Sequence, residues 1–263
     1  MTVRGAARVR SPRTMAVRRL LQPRVSLAFE LVAVAAWIAL VAWAMTGGSH
    51  AGHGHHHVSA TQAVHGGAGF GDLAMWALMS VAMMLPAAVP ALAHVGTNSL
   101  RWRRQRAMAT FAAVYLAVWI GYGVLLLGAA PLWARARLPG DAALACALAL
   151  AAAWQLTVHK RRALRDCHRS SPLPPTGWRA VAGAGRFGLR QGGACLRSCW
   201  ALMLVMAVAS GRSGMLGWMA VLTGIVMTER LARKPRRPVQ LAAVALAAAA
   251  VALALPAPAW RWY

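Results

Sequence analysis

The sequence predicts an all-α fold, a polytopic transmembrane helix bundle of about seven spans with its N-terminus inside. Three observations predict it: 59% of the 263 residues are hydrophobic, 5 acidic side chains face 29 Lys and Arg, and the basic residues fall mostly between long apolar runs. A soluble domain carries about a quarter charged residues, against 13% here, which argues against an ordinary globular enzyme. A net charge of +24 would suit a nucleic-acid reader if the basic face lay on a soluble fold with few apolar runs. No nucleic-acid partner is expected; the lipid bilayer is.

A helix needs about 20 apolar residues to cross the hydrocarbon layer, because lipid offers no partner for backbone N–H and C=O groups. Residues 1–26 form a basic tail, and residues 27–46 hold the first span, Leu27 to Met45. Ala42 and Ala44 also make a passable signal-cleavage site, but the run and the tail before it are long for a secretory signal. Residues 47–70 form a His- and Gly-rich loop. The core, residues 71–234, contains spans at Gly71 to Val95, Met108 to Pro131, Asp141 to Val158, Ala194 to Ser210 and Gly214 to Glu229. The last two are short enough for a tight pair or a partly re-entrant hairpin. Residues 235–263 supply a final Ala-rich span, Val239 to Pro256, and a tail whose Trp260, Trp262 and Tyr263 suit an interfacial anchor.

Cytoplasmic loops hold the excess of Lys and Arg. Seven lie between Arg4 and Arg24, four between Thr97 and Ala107, eight between His159 and Gly193, and five between Arg230 and Arg237. These regions alternate in register, which places the N-terminus inside, the C-terminus outside and the His-rich loop outside.

Three groups of soft or borderline ligands stand out. His53, His55, His56 and His57 lie among glycines that let several imidazoles converge on zinc, copper or nickel; a solvated loop without a site is the plain alternative. Met75, Met79 and Met83 share one helix face at four-residue spacing, ahead of Pro86 and Pro90. Thioethers suit Cu(I), although Met more often fills gaps between helices. The prolines free carbonyls that neighbouring groups must satisfy.

Cys195 and Cys199, also four apart, are expected where a helix leaves the inner basic loop that holds Cys167, with Arg190 and Arg197 near enough to favour thiolates. A reducing cytosol disfavours disulfides there. With Cys167 they suit Cu(I) or zinc, or are simply small residues at a helix start. Cys146 reads as a buried apolar thiol and His94 as an interfacial polar residue. Glu229 is expected to pair with Arg230, and Glu30 with Arg24 or another span. No nucleophile–base set, paired carboxylates or cofactor loop is visible, so no catalytic role is expected.

Two stretches resemble a bacterial family of predicted metal-binding integral membrane proteins, domain of unknown function 2182, sometimes labelled copper chaperones. One runs from Met75-Trp76 through Ala82-Met83-Met84-Leu85-Pro86 to Pro90. The other takes in Gln155-Leu156-Thr157, Lys160, Cys167, Gly188 to Gly192, Cys195, Cys199 to Met203, Trp218-Met219 and Glu229-Arg230. The likeness covers Asp72 to Lys234 and implies an inner-membrane, multi-pass protein that handles copper. Members resembling this chain carry a cysteine also at the positions of Ala163 and Ser198, and often a histidine at Gln191; this sequence departs at all three.

The resulting expectation is a protein that accepts copper, or alternatively zinc, near the outer histidines and presents it to inner thiolates. A structural or assembly subunit docking other membrane subunits through its Ala-rich helices is the rival from another class. A zinc, nickel or cobalt permease is the third.

Overall fold

A computed structural model describes residues 12–46, 70–135, 139–169, 173–174, 177–210, 214–232 and 236–255. His53, His55, His56 and His57 lie outside the described residues, as do the tail aromatics. The described chain is all-helical: α1 Pro12–Met45, α2 Phe70–Asn98, α3 Arg104–Gly128, α4 Ala130–Arg135, α5 Gly140–Leu156, α6 Val158–Cys167, α7 Gly177–Ala209, α8 Met215–Leu231 and α9 Arg236–Ala254. Five helices are long and apolar enough to cross a membrane, and α5 with α6, bent by 71°, adds a sixth if the two form one span. The difference from seven is α8, only 17 residues long. Leu31, Ile38, Leu125, Leu241 and Val244 point out of the bundle. An apolar surface of that kind is compatible with lipid, whereas in water it would be an aggregation liability.

The expected helix start at Ala194 gives way to a helix that begins 17 residues earlier, at Gly177. Glycines and arginines look like loop, yet here they make an amphipathic helix. Arg186, Arg190 and Arg197 are exposed, while Ala184, Gly188 and Gly192 form a buried stripe of small residues at four-residue spacing. That stripe lies on α3. A Cβ at Gly188 would sit 2.7 Å from the Phe111 carbonyl oxygen, and one at Gly192 would sit 3.3 Å from that of Tyr115. Small residues let backbones approach this closely.

The proline expectation for α2 is met at one carbonyl. Pro86 has no N–H, so the Ala82 carbonyl loses its helical donor. The Trp37 indole of α1 donates to it instead, at 3.0 Å. On the other side of α2, Trp76 donates to the Trp119 carbonyl of α3 at 2.9 Å, its ring lying over Gly123, where any Cβ would collide with it.

The two Ala-rich helices, α5 and α9, pack against each other. Ala145, Ala147 and Ala151 on one, and Ala242, Ala243 and Ala250 on the other, are buried within the chain. One small face of each helix is therefore used internally, while Ala149, Ala153, Ala245, Ala247 and Ala248 are exposed. Cys146 corrects its expectation too: it is exposed on α5, because the buried positions around it belong to Leu144, Ala145, Ala147 and Leu148.

Candidate metal centre

α7 carries Cys195 and Cys199 on one face, and because the helix starts at Gly177 they lie near its middle, not at a loop exit. Both thiols are enclosed, 0% and 1% exposed, and their four-residue spacing sets them on adjacent turns of the helix. Outward positions are taken by Arg190 and Arg197, so these cations do not face the thiols as expected. Arg197 instead reaches Asp166 at 3.4 Å.

Cys167 comes from the end of α6, 7% exposed. Between it and Cys199 stands Ser198, whose Oγ is 4.0 Å from Cys167 Sγ and 3.2 Å from Cys199 Sγ, and donates to the Cys195 carbonyl at 2.8 Å. Gln191 donates from Nε2 to the Cys167 carbonyl at 2.7 Å. From α3, Tyr115 Oη lies 3.1 Å from Cys195 Sγ and 3.3 Å from the Met84 carbonyl oxygen; it has one proton to donate between them. The three positions where the chain departs from its resemblance, Ala163, Gln191 and Ser198, are all buried in this part of the bundle.

Arg230 supplies the charge. It is 8% exposed, and Cys195, Cys167, Tyr115 and Cys199 are its electrostatic neighbours. Its Nε and Nη2 atoms are buried with no hydrogen-bond partner. Glu229 does not pair with it, contrary to expectation, because successive residues on a helix point in different directions. The Glu229 carboxylate takes Lys160 Nζ at 2.6 Å, both side chains 0% exposed, and Gln155 Nε2 at 2.7 Å.

Lys160 is positioned by the break between α5 and α6. Thr157 is extended there, and its side chain caps α6 by accepting from the Lys160 N–H at 3.1 Å. Beside Cys167 a cavity of about 410 Å³ opens, lined by His94, Cys167, His168, Phe187, Gln191 and Arg230 among others, with Cys195 and Cys199 outside its lining. His94 thus borders the cavity, its ring edge-on to Phe187 with centroids 5.7 Å apart.

The other proposed ligands lie elsewhere. Met79 and Met83 are buried in the apolar core, and Met75 packs partly buried against it. The connection from α2 to the thiols runs through the Met84 carbonyl and Tyr115. Glu30 accepts from Ser26 at 2.7 Å within α1. Among the described residues no three His, Cys, Asp or Glu side chains are disposed to hold one metal ion. The thiols are arranged as an adjacent pair, Cys195 and Cys199, with Cys167 beyond Ser198.

Sequence reasoning left Tyr115, Gln155, Lys160 and Arg230 without roles at this centre. Two signals were present: Gln155, Lys160 and Arg230 fall within the strings that carry the resemblance, and Lys160 is one of only two lysines beside 27 arginines.

A family model described as copper chaperone, PpoB2, matches residues 73–253. The chain belongs to this family. The match takes in more than half the chain and runs past Lys234 into α9, so the final helix is part of the family unit. No curated protein and no solved structure matches.

Proposed function

We propose that this copper chaperone family member is a multi-pass protein of the bacterial inner membrane that binds Cu(I) at Cys195 and Cys199 for transfer. Cys167 is the thiol that relays the ion to or from the cavity. The observation that carries the reading is a buried cation short of partners: Arg230 is buried among Cys195, Cys167 and Cys199 with two nitrogens unpartnered. An uncompensated buried cation is costly.

Two thiolates around Cu(I) give a complex of net charge −1, which balances one guanidinium. Two thiolates around zinc give zero and leave Arg230 unbalanced. Soft sulfur donors favour Cu(I) for the same site. On this reading the arginine-rich ends of the helices face the cytoplasm. His53, His55, His56 and His57 then act as an outer collecting loop, with Met75, Met79 and Met83 between them and the thiols.

Elemental analysis of detergent-purified protein loaded with Cu(I) tests this. About one copper is expected per wild-type chain, lost in Cys195→Ser/Cys199→Ser and retained when the four loop histidines are replaced. Stoichiometric copper that survives loss of both thiols overturns the assignment. Loss only in the histidine variant moves the site to the outer loop, and zinc retained in place of copper favours a permease for borderline metals.

A further inference from the structure

We infer that the cavity lined by Cys167 and Arg230 is an anion site, and that copper enters or leaves it as a complex with a small thiol bearing carboxylates. The identity of the ligand rests on the Cu(I) reading above; the anion site itself does not.

The cavity of about 410 Å³ and a neighbouring one of about 270 Å³ share Arg169, Phe187 and Gln191 among their linings. The outer of the two adds Arg190 and Arg197, so the approach carries three arginines against one carboxylate, Asp166. Clefts lined by one sign of charge concentrate ions of the other. At the inner end Arg230 lines the cavity, more than nine-tenths buried, with Nε and Nη2 lacking any partner. A buried N–H pair without an acceptor calls for one, and a guanidinium edge fits a carboxylate. His94 and His168 border the same space. Its volume falls within the range of small-molecule sites, about 300–1,000 Å³.

Proton balance selects the form in which copper arrives. Forming two Cu–thiolate bonds from two thiols releases two protons, and metal ligands must be deprotonated to bind. The buried carboxylate in this region, Glu229, is already bonded to Lys160 and Gln155. Exchange with an incoming bis-thiolate complex removes the difficulty. Both carrier–copper bonds break, Cys195 and Cys199 bond to copper, and their two protons leave on the two carrier sulfurs. Copper remains Cu(I), no electron moves, and the two-sulfur copper core keeps its charge of −1 while the carboxylate charges leave with the carrier thiols. Arg230 faces an anion before and after the exchange.

The test measures binding of S-methylglutathione, an anionic peptide with its thiol blocked, to the metal-free full chain in detergent by titration calorimetry. Saturable binding is expected in wild type and in Cys195→Ser/Cys199→Ser, weakened about tenfold or more by Arg230→Gln. Weakening is also expected in Arg169→Gln/Arg190→Gln, whose exposed positions leave the fold intact. Absence of saturable binding to wild type, or binding indifferent to all three arginines, overturns the anion site even if copper is bound. Binding of the peptide by a chain that retains no copper keeps the anion site and rejects the Cu(I) reading instead.

Discussion

At the scale of single residues, the centre depends on two buried cations with opposite situations. Lys160 is satisfied by Glu229 and Gln155, whereas Arg230 is not satisfied by protein atoms at Nε and Nη2. Removing one member of a buried pair strands the other charge, at about 3–5 kcal/mol. Glu229→Gln and Lys160→Met are each expected to lower the unfolding midpoint in detergent sharply, and Lys160→Met/Glu229→Leu to recover much of the loss. A double variant as unstable as the sum of the singles would show that the pair is not coupled. The thiols and the Met stripe were legible as residue types because soft ligands are recognisable by chemistry alone. The partners Tyr115, Ser198 and Arg230 were not, since each becomes significant only through a contact between helices far apart in sequence.

Helix packing depends on backbone approaches that single substitutions can probe. Gly188→Ala puts a methyl against the Phe111 carbonyl and is expected to cost about 1–3 kcal/mol, the range for overpacking. Gly193→Ala, on the same helix with open space around its Cβ position, is expected to be neutral or to stabilise by about 0.5–1 kcal/mol through its better helix propensity. Equal effects from the two, measured by thermal unfolding in detergent, would contradict the packing assigned to α3 and α7. Trp37→Phe, which leaves the Ala82 carbonyl without its donor, is expected to cost about 1–3 kcal/mol.

Helix existence was legible here from apolar length, and the spans at α1, α2, α3, α5 and α9 lie close to their expected positions. The start of α7 was not, because Gly and Arg in Gly177 to Gly193 resemble a loop until the small stripe Ala184, Gly188 and Gly192 meets its neighbour. For the same reason Cys195 and Cys199 moved from a helix entrance to a helix middle.

For the whole molecule, several long apolar helices with exposed apolar side chains are compatible with a multi-pass membrane protein, and the proposed reading turns the arginine-rich helix ends to the cytoplasm. The candidate centre lies partway through the helix bundle, with a cavity beside it walled by α2, α6, α7 and α8 residues. Labelling of single cysteines introduced at Arg101 and Arg261, in a background lacking native thiols, is expected to place the first in the cytoplasm and the second outside. The central claim, a two-thiolate Cu(I) complex balanced by Arg230, is tested most directly by X-ray absorption at the copper edge of the loaded full chain. The account predicts Cu(I) with two sulfur ligands, and loss of that signature in Cys195→Ser/Cys199→Ser. A first shell made of nitrogen, or a copper edge unchanged by removal of both thiols, would contradict it.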